Sequence, residues 1–187
     1  DNSPPIMSVI EPLSEAILHV GDTLSIQWEV IDDYGLEAVQ LYYAIDSDFI
    51  LISDELVGIN QFEWFVPNHP TGQMRLKLMA TDLAELSDSI IVDNISILPV
   101  YPMIRILDPL NNDTLQIGDQ INITWMDSSG LGSASHNISF NIDYDWITIG
   151  DFIDLESNQI EWTVPNEPTD QLSLRLISEN MFGYLDT

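Results

Sequence analysis

The chain has 187 residues, of which 45% are hydrophobic, and its 31 acidic and 4 basic side chains give a formal net charge of −27. Such a field repels phosphate groups and anionic headgroups, which argues against nucleic-acid binding and against electrostatic attachment to a membrane. The sequence has no cysteine and no apolar run near the roughly 20 residues that span a bilayer. Disulfides, thiolate sites and a membrane span are therefore not expected.

Two copies of one pattern run through the chain. The segment from Val20 to Trp28 returns 97 residues later as the segment from Ile117 to Trp125, and one inserted loop residue makes the offset 98 from residue 62 onwards. This period predicts two domains of ordinary size rather than one large domain. The expected division is a linker at 1–5, repeat one at 6–98, a second linker at 99–102 and repeat two at 103–187.

The predicted elements of repeat one are all strands. Apolar residues alternate with polar ones, as at Leu24, Ile26 and Trp28, and this period of two indicates one buried face and one wet face. Proline or glycine interrupts every long run, so no helix is expected. In chain order, the predicted strands cover residues 6–10, 24–30, 39–45, 49–52, 62–66, 74–80 and 90–98. About seven short strands per repeat predict an all-β fold of two tandem Greek-key β-sandwiches.

The second repeat is expected to lack its last strand in this chain. Thr187 aligns with Ser89, so nothing in repeat two corresponds to the strand from Ile90 to Leu98. Such a repeat exposes the edge of the neighbouring strand, here residues 172–177, and an open edge accepts strands. Two interpretations stay open: the native polypeptide continues and supplies the strand, or residues 1–10 of the next subunit fill the gap and build a filament.

The motifs of both copies resemble the tandem immunoglobulin-like and fibronectin type III-like repeats of large secreted or surface bacterial proteins. In repeat one the resemblance is carried by Pro12, Gly21, the Ile26-Gln27-Trp28 motif, Tyr42-Tyr43, the turn aspartates before Phe49, and Trp64 to Pro67. The start of repeat two, with Pro109, Gly118 and Ile123 to Trp125, is also similar to a Kre9/KNH-type cell-wall module. The resemblance implies Ig/Fn3-like sandwiches and a non-catalytic structural or adhesive role in an extracellular protein, stalk or fibre. The expected partners are neighbouring repeats of the same or an adjacent chain.

Acidic turns are the candidate metal sites. Ca²⁺ takes six to eight oxygen ligands, and carboxylates cluster at corresponding places in the two copies. The candidate ligands are Asp32, Asp33, Asp46 and Asp48 in repeat one and Asp127, Asp143 and Asp145 in repeat two. The alternative is that these aspartates bond to their own turns, as aspartates in turns commonly do. No other cofactor is expected.

Aromatic residues divide into core and surface candidates. Trp28, Trp64, Trp125 and Trp162 alternate with polar residues and are predicted to fill the space between sheets. Trp146 and Phe49 directly follow turns and are candidate glycan contacts. They would serve the alternative function, an accessory carbohydrate- or cell-wall-binding module of a secreted enzyme.

The histidines give no catalytic signature. His19, His69 and His136 lack the spacing of a zinc site or a triad, and they are interpreted as isolated loop or edge residues. Paired carboxylates abound, but a charge of −27 already predicts them. No catalytic residue is proposed, and the protein is predicted not to be an enzyme.

Overall fold

A computed structural model describes residues 3–128, 132–142, 145–151 and 157–187. The chain divides into two compact units, Asp1–Pro99 and Val100–Thr187. All the regular structure of the described residues is β-strand, which confirms the all-β prediction. Among these residues no helix is long and apolar enough to cross a bilayer.

The first unit is built from a three-stranded and a five-stranded sheet. The first sheet has the order β1 (Ile6–Glu11), β3 (Thr23–Ile31), β6 (Gln61–Phe65). The second has the order β2 (Ile17–His19), β8 (Ser87–Leu98), β7 (Thr71–Asp82), β4 (Leu36–Ala44), β5 (Ile50–Ser53). The chain moves repeatedly from one sheet to the other, and all pairs are antiparallel except β2 with β8. This is the predicted Greek-key sandwich.

Local sequence explains where the strands begin and end. β1 stops at Glu11 because Pro12 has no N–H to donate to a ladder, and the chain then leaves the first sheet and enters the second as β2. Gly21, at the turn before β3, has a φ of 82°, as has Gly118 in the second unit. Side chains rarely tolerate this left-handed region, so the Gly-Asp turn is a geometric requirement in both copies.

The second unit repeats the design. One sheet has the order β13 (Gln159–Thr163), β10 (Gln120–Asp127), β9 (Ile104–Asp108). The other has the order β12 (Trp146–Asp151), β11 (Ser133–Asn141), β14 (Ser173–Asn180), β15 (Leu185–Asp186). Tryptophans lie inside both units, as predicted: Trp28, Trp64, Trp125 and Trp162 are all buried.

The closing strand of the second unit is present only as its first two residues. β15 pairs with β14 through Ser178 and Asp186, the counterpart of the pair that Ala80 and Asp88 form between β7 and β8. The alignment by 98 residues therefore holds, and β15 occupies the first two positions of β8. In this alignment the positions of Ile90 to Leu98 lie beyond Thr187.

Candidate functional site

The acidic turns of the first unit lie at opposite ends of one strand. Asp32 and Asp33 precede β4, whereas Asp46 and Asp48 follow it. The nine residues of β4, at about 3.3 Å each, separate the two turns by roughly 30 Å. The two pairs of carboxylates are therefore too far apart to hold one ion, because ligands must lie within about 2.6 Å of Ca²⁺, and calcium binding at either turn stays a prediction.

The carboxylate of Asp32 is hydrogen-bonded within its own turn. Its Oδ1 accepts hydrogen bonds from the backbone N–H groups of Tyr34 at 2.9 Å and Gly35 at 2.8 Å. This is the turn-forming role that the sequence analysis left as the alternative. Asp33 beside it is exposed.

The turn between β4 and β5 keeps Asp46 and Asp48 together on the surface. Both side chains are exposed, and Arg75 donates from Nη2 to the backbone carbonyl of Asp46 at 2.9 Å. A guanidinium at this turn offsets part of the negative field that would attract a cation. No group of three or more ligating side chains occurs in the described part of the chain.

The second unit places its candidate aspartates in different surroundings. Asp127 is at the end of β10, before β11, and Asp145 is exposed beyond β11, so these two also lie at opposite ends of a strand. Asp143 lies outside the described residues. Asp127 accepts a hydrogen bond from Ser133 Oγ at 2.6 Å, which turns its carboxylate towards the protein interior.

A polar cluster surrounds His136, inside the second unit. The side chain is 1% exposed, so its interpretation as a loop or edge histidine is wrong. Its Nε2 lies 3.6 Å from Asp127 Oδ2, too far for a hydrogen bond, and neither ring nitrogen has a hydrogen-bond partner among the described residues. Burial lowers the pKa of His136 below its usual 6.5, although the carboxylate of Asp127 acts in the opposite direction.

This cluster contains serine, histidine and aspartate but lacks the geometry of a triad. Ser133 Oγ bonds to Asp127 and to Ser178 Oγ, both at 2.6 Å, and not to the imidazole. A triad needs the hydroxyl on one imidazole nitrogen and the carboxylate on the other, with the hydroxyl open to substrate. The grouping is therefore part of the interior packing.

Aromatic and basic side chains stack on the surface of each unit. Lys77 Nζ lies 4.5 Å from the centre of the Phe49 ring and 4.3 Å from that of Tyr42, and Arg75 Cζ lies 5.0 Å from Phe49. In the second unit Arg175 Cζ lies 4.2 Å from the centre of the Trp146 ring. These stacks use three of the four basic side chains of the chain.

The stacked cations limit which ring faces of Trp146 and Phe49 a ligand could contact. Trp146 is 41% exposed and Phe49 is half-buried, so both candidate glycan contacts reach the surface. The cation, however, lies over a ring face to which a sugar would stack. Sequence reasoning named the two aromatics but missed their partners. The signal was the 98-residue offset, which aligns Arg175 with Lys77.

The protein is a tandem of two all-β sandwich units. No family model matches the chain, and no curated protein matches it. Solved tandem modules of the fibronectin type III kind are similar to it. The fibronectin(III)-like modules of Clostridium thermocellum CbhA are 18% identical over 97% of this chain and 90% of theirs, with a TM-score of 0.41.

Two further solved structures are similar at this level. A two-domain fibronectin type III segment of chicken tenascin is 16% identical over 99% of this chain and 95% of its own, with a TM-score of 0.38. A structure from a 1.5-MDa bacterial ice-binding adhesin is 10% identical over 99% of this chain and 62% of its own, with a TM-score of 0.40. The Kre9/KNH likeness stays a resemblance of sequence alone.

Proposed function

We propose that this chain is a non-catalytic structural or adhesive repeat module of a longer extracellular surface protein, stalk or fibre. The observation that carries the proposal is the repetition of one interlocked sandwich, with the same core tryptophans and the same Gly-Asp turn in both copies. The strongly negative charge supports it, since a net charge far from zero keeps such modules soluble.

A module of a stalk must hold its fold under tension, and single-molecule stretching tests this. Pulling from the two ends of the chain should give two separate unfolding events. Each event should release about 30 nm, because roughly 90 residues extend at about 3.4 Å each. Featureless extension from zero force would reject a load-bearing role, and a single event of twice the length would reject two independent modules.

Glycan binding is the second candidate function, and the exposed Trp146 is the observation that favours it. The other four tryptophans are buried, so a ligand at this surface would change the fluorescence of Trp146 selectively. Titration with a panel of neutral and acidic polysaccharides should shift wild-type emission but not that of Trp146→Ala. Phe49→Ala is the matched control, because it removes the equivalent ring from the first unit. No shift with any polymer would reject this function.

Calcium binding is proposed only for the turn that carries Asp46 and Asp48, where the two carboxylates remain neighbours. Bound calcium should raise the melting temperature, since a ligand stabilises the state that binds it. We expect a higher melting temperature in millimolar calcium than in EDTA at matched ionic strength, and no such difference in an Asp46→Asn, Asp48→Asn double variant. Asp33→Asn, at the other end of β4, is the control. Equal wild-type melting curves would remove the proposal.

A further inference from the structure

A long groove opens in the second unit. Its volume is 1630 Å³, and it runs between the segment that follows β9 and the free side of β14. Apolar side chains contribute much of its lining, among them Leu107, Leu110, Leu115, Ile117, Leu172 and Leu174.

The same positions are closed over in the first unit. Ile117 is 45% exposed, whereas Val20, its counterpart, is 0% exposed. Leu174 is half-buried, whereas Leu76 in the same place is 2% exposed. Two further pairs show the same contrast: Leu115 with Leu18, and Leu172 with Met74. An element of the first unit therefore covers these positions, and the same positions are uncovered in the second unit.

The cover in the first unit is β8. It pairs antiparallel with β7 and parallel with β2, so it lies between the two elements whose counterparts border the groove. Its inward side chains Val92, Ile95 and Ile97 are 6%, 0% and 1% exposed. In the second unit residues 114–116, at the positions of β2, form no strand, and β14 pairs with β15 only at Ser178 and Glu179.

We propose that the groove is a strand-acceptor site, and that its occupant is an extended polypeptide segment that continues from β15. Such a strand would run antiparallel to β14 and parallel to residues 114–116, with apolar side chains at the places of Val92, Ile95 and Ile97. β15 already aligns with β14 in the register in which β8 begins, which gives the occupant its entry point and direction. An open strand edge beside an apolar groove is the arrangement that accepts an added strand.

The first unit supplies the probe. Nine residues copied from Ile90 to Leu98, added directly after Thr187, would continue β15 in register. The matched control carries the same extension with its copies of Val92, Ile95 and Ile97 replaced by serine. A free peptide of residues 87–98, added to the unextended chain, forms the third arm.

Hydrogen exchange and melting give the result. The apolar extension should slow exchange in residues 172–177 at least about tenfold and raise the melting temperature of the second unit by at least about 5 °C. The serine extension should do neither, and the free peptide should act only at much higher concentration, because it lacks covalent attachment.

Equal behaviour of the apolar and serine extensions would overturn the acceptor site. A free peptide that protects as well as the extension at micromolar concentration would overturn continuity with β15 and assign the groove to a separate chain. These readouts are confined to the second unit, so they are independent of the structural or adhesive role proposed above.

Discussion

Replacing His136 by valine is expected to stabilise the second unit. The first unit supports this expectation, because its cross-strand pair Val39 and Ala80 is equivalent to the pair His136 and Ser178 in the second unit. Val39 and Ala80 are each 1% exposed, so the fold accepts apolar side chains at both positions. The substitution removes two buried ring nitrogens and leaves the bonds of Ser133 to Asp127 and Ser178 in place.

The magnitude follows from two opposing effects. A buried polar group without a hydrogen bond costs about 1–3 kcal/mol, and the smaller valine forfeits about 1 kcal/mol of packing. The net gain at neutral pH should be about 1 kcal/mol, or roughly 4–8 °C in the melting temperature of a unit this size.

The pH dependence gives a sharper test. The pKa of His136 is lowered in the folded unit, so the unfolded chain binds a proton more readily. The contribution of His136 to the free energy of unfolding is therefore fully present above the unfolded pKa of 6.5, and it is lost as the pH falls below that value. The advantage of His136→Val over wild type should grow between pH 7 and pH 5, while the titration of carboxylates cancels in the difference.

Urea unfolding followed by hydrogen exchange in β11 measures both effects. The control is His69→Gln, which changes an exposed histidine of the first unit, outside the unit that β11 reports on. A destabilised His136→Val protein, or one with the wild-type slope between pH 5 and pH 7, would refute the reasoning.

Three further substitutions test the local structure. Asn180→Ala removes an acceptor for two turn N–H groups and a donor to a backbone carbonyl, so we expect a loss of about 2–3 kcal/mol in urea unfolding. Gly118→Ala meets no atom within 4 Å but keeps a φ of 82°, which should cost about 1–2 kcal/mol, whereas Gly72→Ala, also in open space, should be nearly neutral. Arg175→Ala uncovers one face of Trp146, so acrylamide quenching of tryptophan fluorescence should increase; unchanged quenching would contradict the stack.

The sequence predicted what depends on local alternation and on the repeat. The positions of most strands and the tryptophan core follow from a period of two and a fixed offset, whereas the short strands β2 and β15 were not predicted. The polar cluster did not follow, because Asp127, Ser133 and Ser178 come together only when β10 of one sheet packs against the β11–β14 pair of the other sheet. The separation of the acidic turns did not follow either, because turns that are neighbours along the chain lie at opposite ends of the strand that joins them.

The two departures of the second unit from the first lead to a last prediction, that the second unit unfolds first on heating. In the first unit β7 pairs with β8 from Thr71 to Thr81, whereas the pairing of β14 with β15 covers two residue pairs. Three apolar side chains of β8, each worth about 1.5–3 kcal/mol when buried, have no equivalent in the groove. The unpartnered imidazole of His136 acts in the same direction.

Hydrogen exchange along a temperature ramp measures this order directly. Amides of β13 should lose protection several degrees before those of β6, the equivalent strand of the first unit. The His136→Val variant and the apolar extension should each reduce the temperature difference between loss of protection in β13 and in β6. Together they should reduce it further, because effects at a core position and at a separate strand edge add. Loss of protection in β6 before β13, or in both at one temperature, would mean that pairing of the closing strand does not control the stability of these units.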